Sequence, residues 1–392
     1  MPLERLQKKL EELKASENLR TLREVQSPQG RSLLFQGREY LNFSSNDYLG
    51  LAEAPELREA MARGARDWGA GSGASRLVNG SLAPLHRLEA ELAEFKGTEA
   101  ALLFNSGYHA NLGTMSCLLE TGDVLFSDEL NHASIIDGAR LSRAQRVIYR
   151  HHDVEDLRRK LKVAQAERSP SAQFLIATET VFSMDGDLCP LRDLLELAEA
   201  FDAWLYFDEA HALGVFGKSG AGRLEEFRKH PAVAERVIQM GTLGKALGCF
   251  GAYVAGSRFL IDFLINRARS FIFTTALPPA VAEAARAALK LLKTQPERRA
   301  RLWQNLEKLQ KCAAERLPFS LRTESPIVPL LCGSSQAALR AGEGLLEKGI
   351  WATAIRPPTV PEGTARLRLT LTAMHQDSDI ERLVEALCSV MK

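Results

Sequence analysis

The chain has 392 residues, 45% hydrophobic and 25% charged, with fifty Lys and Arg against forty-nine Asp and Glu. That length accommodates one large unit or two to three domains, and the near-neutral balance excludes a global pull toward nucleic acid or anionic membrane. Six scattered cysteines (117, 189, 249, 312, 332 and 388) form no CxxC pair and no Cys/His cluster at metal-ligand spacing, no apolar run reaches a membrane span, and the opening MPLERLQKKLEELK is too charged for a signal peptide, so the cytosol is the expected compartment.

Leu3, Leu6, Leu10 and Leu13 recur at helical spacing among charges. They predict an amphipathic N-terminal helical arm, residues 1–40, lying on the body of the protein or on a partner subunit. Across 41–293, short β-rich runs alternate with helical patterns. The runs are ALLFNSG, DVLFSD, RVIYR, QFLIATE, AWLYFDEAH, RVIQMGTLG and GAYVAGS; LHRLEAELAEFKG and LRDLLELAEAFDA typify the helices. This alternation predicts an α/β domain with a mostly parallel seven-stranded sheet covered by helices on both faces. A helical stretch over about 278–317 leads into a smaller C-terminal α+β domain, residues 294–392, with strands IVPLL, WATAI and RLRLTLT and a final helix. Ligands of such sheets bind at the carboxyl ends of the strands, so the polar residues there come first.

Asp208-Glu209-Ala210-His211, followed by Gly217-Lys218-Ser219, raises the possibility of an ATPase. A P-loop requires GxxxxGK[ST], whose backbone amides cradle phosphate. Ala212 stands where the first glycine belongs, and in GTLGKALG that place is Gln239 while Ala246 replaces the hydroxyl. Nucleotide hydrolysis is not expected.

GTLGKALG itself surrounds Lys245 with small residues. Burial makes a lysine amine nucleophilic, and small neighbours admit a flat group, which suits covalent attachment of pyridoxal 5′-phosphate; a lysine on a glycine-rich surface loop is the alternative. Such a cofactor needs a carboxylate at its pyridine nitrogen, a flat partner on its face and an anion cradle. Asp208 ends the strand-like WLYF and suits the first need, although it also suits a helix cap. His211 is a candidate for the ring's phenolate oxygen, and His132 in DELNHASI for stacking, unless it is a polar cap. In NSGYHANLG a strand end runs into a helix, which aims the Gly107 and Tyr108 amides at an anion, with Thr242 adding a hydroxyl.

Taken in order, NFSSNDYLGL (42–51), GAGSGASRLVNGS (69–81), HASI (132–135), ETVFSMDGD (179–187), DEAHALGVFG (208–217) and GTLGKALG (241–248) resemble the α-oxoamine synthase family of fold-type I pyridoxal phosphate enzymes over nearly the whole chain. The resemblance implies that Lys245 is the covalent lysine, with Lys245, His132 and Asp208 catalytic. It places Glu179, Ser183, Asp208, His211 and Thr242 on cofactor positions, Gly107 and Tyr108 on backbone contacts, and Thr274 and Thr275 where the family reaches the phosphate across a homodimer interface. Arg20, Asn46, His132, Thr359 and Arg368 match substrate-contacting positions, and Ser75 stands where glycine-using relatives tend to carry threonine.

Family members join an amino acid to an acyl-CoA and release carbon dioxide. The segment AIRPPTVPEGTARLRLTLTA (354–373) narrows the expectation to L-alanine with pimeloyl-CoA or a pimeloyl carrier protein, with no nucleic acid, membrane or metal. A sister enzyme using another amino acid and acyl donor is the alternative. A catalytically silent binding subunit has no need of Lys245, Asp208 and His132 together.

Overall fold

The computed structural model describes residues 2–167, 169, 171–321 and 323–391. The chain divides into two compact units. One contains residues 51–183 and 187–299; the other contains 1–50, 184–186 and 300–392.

In the first unit all seven predicted runs enter one sheet. Its order is Ala100–Phe104, Ala252–Gly256, Val237–Thr242, Ala203–Asp208, Phe174–Glu179, Val124–Asp128, Gln145–Tyr149. Ala252–Gly256 runs antiparallel to both neighbours, and the other pairings are parallel. The central strands read as unbroken apolar runs because both faces are buried. Alternation sorts them into two cores: Leu125, Leu175, Ala177, Tyr206, Ile238 and Met240 face one way. Val124, Phe126, Phe174, Ile176, Leu205 and Phe207 face the other.

Helix ends follow local chemistry. Ala83–Lys96 stops at Gly97, whose φ of 70° is left-handed, and Ser106 caps Gly107–Leu118 by accepting from the His109 amide. The stretch read as helical over 278–317 is two helices, Pro279–Thr294 and Pro296–Arg316. Pro296 disfavours helical geometry at the residue before it, and Gln295 adopts φ −126° and ψ 61°.

The second unit holds two three-stranded sheets. Ser32–Phe35, Arg38–Asn42 and Ile350–Trp351 form one; Ile327–Gly333, Ala365–Thr370 and Thr353–Ile355 form the other. WATAI, read as one strand, is therefore shared between two sheets. Arg31 clasps Asp379 at 2.6 and 2.7 Å, and His375 Nε2 lies 3.1 Å from the Asn42 carbonyl. These bonds group residues up to Gly50 with the C-terminal segment, whereas the sequence pattern drew its boundaries at 40 and 293. The helical arm expected over 1–40 is a helix only at Pro2–Ala15, because Gln36-Gly37 turns Ser32–Phe35 back against Arg38–Asn42 as an antiparallel pair; Leu3 is 71% and Leu13 43% exposed, so the helix's apolar stripe does not lie on the body of this chain. Among the described residues no helix is long and apolar enough to cross a membrane.

Candidate active site

Strand parity explains why the acidic residues meet. Glu179 pairs in register with Asp208, and Asp208 with Met240. Counting back by two, Glu179 shares a face with Ala177, Asp208 with Tyr206, and Thr242 with Met240, all on one side of the sheet. Three neighbouring parallel strands therefore present two carboxyls and a hydroxyl together at their carboxyl ends. Lys245 follows three residues after Thr242, and its Nζ lies 2.8 Å from Nε2 of the buried His211.

Glu179 is fully enclosed. Its Oε2 accepts the Ser183 amide at 3.2 Å, while Oε1 has no hydrogen-bond partner. Burial first, and then the Asp208 charge, lift its pKa to about 8 against the pull of Lys245. His132 caps the helix Ala133–Leu141, as the polar-cap alternative held, yet it also belongs to the site, since both Asp208 and Lys245 act on it. Burial lowers its pKa, Asp208 opposes, and Lys245 adds to the fall, so the ring favours its neutral form.

Asp208 is held at both oxygens. Oδ1 accepts the Ala210 amide and Oδ2 the side-chain amide of Asn111, each at 2.9 Å. Asn111 lies one helical turn beyond Gly107 on the same helix. The cap spends the His109 amide, and the helical ladder begins with Ala110 donating to the Ser106 carbonyl, so the Gly107 and Tyr108 amides remain first-turn donors outside the ladder. The Tyr108 hydroxyl is used elsewhere, donating to Asp137 at 2.7 Å. Thr242 donates its hydroxyl to the Gly251 carbonyl at 3.0 Å and accepts the Gly244 amide at 3.2 Å. It meets an anion only by releasing that carbonyl.

The small residues around Lys245 do more than leave space. A Cβ on Gly241 would fall 2.5 Å from the Tyr253 hydroxyl, and one on Gly248 (φ 63°) would fall 2.3 Å from the Ala52 nitrogen. Gly244 is the open one, with its nearest atom at 3.5 Å.

Asn105 ties down Thr274 and Thr275, donating to the Thr274 hydroxyl at 3.1 Å and the Thr275 carbonyl at 2.9 Å. Ser75 sits in a tight turn, its carbonyl accepting the Val78 and Gly80 amides. The remaining candidates belong to the other unit, in two groups. Arg20 donates to Thr359 at 3.1 Å and to the Pro357 carbonyl at 3.3 Å. Arg368, buried in the strand Ala365–Thr370, donates to Asn46 Oδ1 at 3.1 Å, where the Tyr48 hydroxyl also donates at 3.3 Å.

Sequence reasoning missed Asn111, Ser134 and Tyr206, which link Asp208 to His132. The signal lay inside NSGYHANLG, where Asn111 follows Gly107 at helical spacing. It also missed Arg366, which reads as one more strand residue but pairs with Asp185 from MDGD.

The aminotransferase class I and II family model matches residues 38–387. An 8-amino-7-oxononanoate synthase of Methylococcus capsulatus is 50% identical over 383 residues, covering 97% of each chain. That of Geobacter sulfurreducens is 49% identical over 98% of this chain and 97% of its own. Among solved structures, a serine palmitoyltransferase of S. paucimobilis with a bound PLP–myriocin aldimine superposes with a TM-score of 0.90 at 29% identity, over 98% of this chain and 96% of its own. An 8-amino-7-oxononanoate synthase of Francisella tularensis gives 0.74 at 31% identity, over 90% and 98%. The chain belongs to the aminotransferase class I and II family and, within it, to the family of the 8-amino-7-oxononanoate synthases.

Proposed function

We propose that the chain binds pyridoxal 5′-phosphate at Lys245 and condenses L-alanine with a pimeloyl thioester, giving 8-amino-7-oxononanoate, carbon dioxide and the free thiol of the carrier. The observation that carries this reading is the meeting of Lys245, His211, Asp208, Glu179 and His132 at the carboxyl edge of adjacent strands, on one face of the sheet. The identity of 50% to synthases named for this product, against 29% to a serine palmitoyltransferase, supports this substrate pair over the sister choices.

The residues fit the cofactor. The first-turn Gly107 and Tyr108 amides suit its phosphate, with the Thr242 hydroxyl able to join them on releasing the Gly251 carbonyl, Asp208 suits its pyridine nitrogen, and the unpartnered Glu179 Oε1 marks a buried polar atom whose partner would come from a ligand. Bound there, the cofactor supplies an electron sink for a carbanion at the α-carbon of alanine. Lys245 would hold it covalently through Nζ, and the same amine, when free, would accept the α-proton. Asp208 keeps a proton on the ring nitrogen, His211 donates toward the ring's oxygen, and Glu179 is neutral below about pH 8. Arg368 and Arg20 grip substrate carboxylate with the planar guanidinium fork, beside Asn46 and Thr359. Ser75 leaves room for alanine's methyl group. Ser183 positions Glu179.

A cytosolic homodimer completes the reading. All six cysteines are free, as a reducing compartment favours. Phe273 is 70% exposed beside Thr274 and Thr275, and Val78 is 77% exposed near Ser75, which suits an interface at the site. Product identification by mass, after incubation with pyridoxal phosphate, alanine and pimeloyl-CoA, tests the function. The mass of 8-amino-7-oxononanoate is expected. Turnover confined to glycine or serine with acetyl-, succinyl- or palmitoyl-CoA would replace the substrate pair, and a colourless protein that binds no pyridoxal phosphate would end the cofactor assignment.

A further inference from the structure

Four buried side chains behind the site, Tyr206, Asn111, Asp208 and Ser134, form a network of hydrogen bonds that ends on His132. The Tyr206 hydroxyl donates to Asn111 Oδ1 at 2.6 Å. The Asn111 amide spends one N–H on Asp208 Oδ2 at 2.9 Å and the other on Ser134 Oγ at 2.8 Å. The reverse orientation of this amide would set its oxygen against the Asp208 carboxylate, acceptor against acceptor. Ser134 Oγ, which accepts from Asn111, also lies 2.7 Å from His132 Nδ1. The Ser134 backbone amide donates to the same nitrogen at 3.2 Å. A backbone N–H is always a donor, so Nδ1 is the acceptor, the imidazole carries its hydrogen on Nε2, and the Ser134 hydroxyl then donates to the same Nδ1.

We infer that Asn111 is a positioning residue for the reaction: it holds the Asp208 carboxylate and, through Ser134, sets the tautomer in which His132 offers Nε2–H as a donor. Asn111 is 1% exposed, Ser134 1% and Tyr206 0%, so water does not compete for the bonds Asn111 makes, whereas the His132 residue that ends the network is exposed. The Tyr206 phenol stays a donor, because burial and the nearby Asp208 charge both raise its pKa. The lowered pKa of His132 agrees with a neutral ring. Asp208 and His132, 76 residues apart in the chain, are thereby tied to one amide. A carboxylate at position 111 lacks both N–H groups, and an alanine severs the link.

This inference rests on the proposed site, but its test reads the chain's own bonds and so can fail separately from the substrate assignment. The full chain, with and without pyridoxal phosphate, is labelled with ¹⁵N in its histidine rings, and the His132 signals are assigned by their loss in His132→Gln. The wild type is expected to show a neutral ring protonated on Nε2. Asn111→Ala and Ser134→Ala are each expected to raise the Nδ1–H population by about 3- to 10-fold, the worth of one neutral hydrogen bond. Turnover of Asn111→Ala should fall by roughly 10- to 100-fold, as for outer-shell partners of metal ligands. If Asn111→Ala fails to fold, Ser134→Ala, which leaves the Asp208 bonds in place, decides the matter. A wild-type ring protonated on Nδ1, or a tautomer ratio unmoved in the folded variants, overturns the inference.

Discussion

The two faces of the seven-stranded sheet each carry carboxylates and imidazoles at the strand ends, arranged to opposite ends. On one face lie Asp208, Glu179, His132, His211 and Lys245. On the other, Asp128 shares its parity with Phe126 and meets His151, which lies 2.9 Å from Asp128 Oδ1 and 2.8 Å from Asp187 Oδ2. Burial opposes a charge on His151, but the two carboxylates outweigh it and raise the pKa to about 10. Both of its nitrogens are spent, and a salt-bridged cation sits between two anions. Each face keeps a buried carboxyl oxygen without a hydrogen bond, Asp187 Oδ1 here and Glu179 Oε1 on the first, but the first also sets a lysine amine beside a histidine. The clusters differ in the cation set among the carboxylates: the Lys245 amine on one face, a histidine clasped by Asp128 and Asp187 on the other.

His151, His152 and Asp187 bring three donor atoms within 4.8 Å, a grouping not visible in the sequence because Asp187 is remote from the histidines. Their arrangement suits the clasp better than a metal ion. The two rings stack at 3.7 Å with 28° between planes, so their in-plane lone pairs run side by side instead of converging.

The sharpest way to break this contrast is Lys245→Ala. A positioned acid–base group alone is worth about 10²- to 10⁴-fold. Removal of the covalent anchor as well should exceed that loss and abolish the borohydride-reducible adduct seen by absorbance. A paired comparison follows. Asp208→Asn should lower kcat by roughly 10²- to 10³-fold, the usual cost of one preorganised electrostatic contact, with the melting temperature nearly kept. His151→Gln should do the reverse, costing about 1–3 kcal/mol in denaturant unfolding while kcat stays within about threefold.

The smallest effects are in pH. The folded pKa of His151 lies above its ordinary 6.5, so its charge contributes fully below that value, and the contribution is lost as pH rises through about 10. The difference in stability between wild type and His151→Gln should therefore narrow over that window. Glu179 rises from 4.5 to about 8, so the wild type loses stability across that interval, because the unfolded chain's carboxyl ionises there while the buried one keeps its proton. Glu179→Gln, uncharged throughout, should show a flatter profile by thermal melts at matched pH. A Glu179→Gln profile as steep as the wild type would place the titration elsewhere.

Much of the sheet was legible. The seven apolar runs declared themselves because strands buried on both faces need continuous hydrophobic sequence, and the polar residues that end them had to lie at the carboxyl edge. Lys245, Asp208 and His132 were legible as residues out of place among glycines or at strand ends. The division of WATAI between two sheets was not, since five apolar-leaning residues carry no mark of which neighbours pair with them. Nor was the break at Gln295 respected by the helical pattern, although Pro296 was in plain view.

By itself the sequence determined the seven strands of the large sheet and which side chains are chemically able to hold a phosphorylated ring. These are local properties, written in the period and composition of short runs. Only the tertiary structure decided that Asn111 unites Asp208 with His132, that Asp128 and Asp187 neutralise His151, and that residues up to Gly50 join the C-terminal unit. Hydrogen bonds between residues scores of positions apart depend on strand register and helix placement, and no local pattern encodes those.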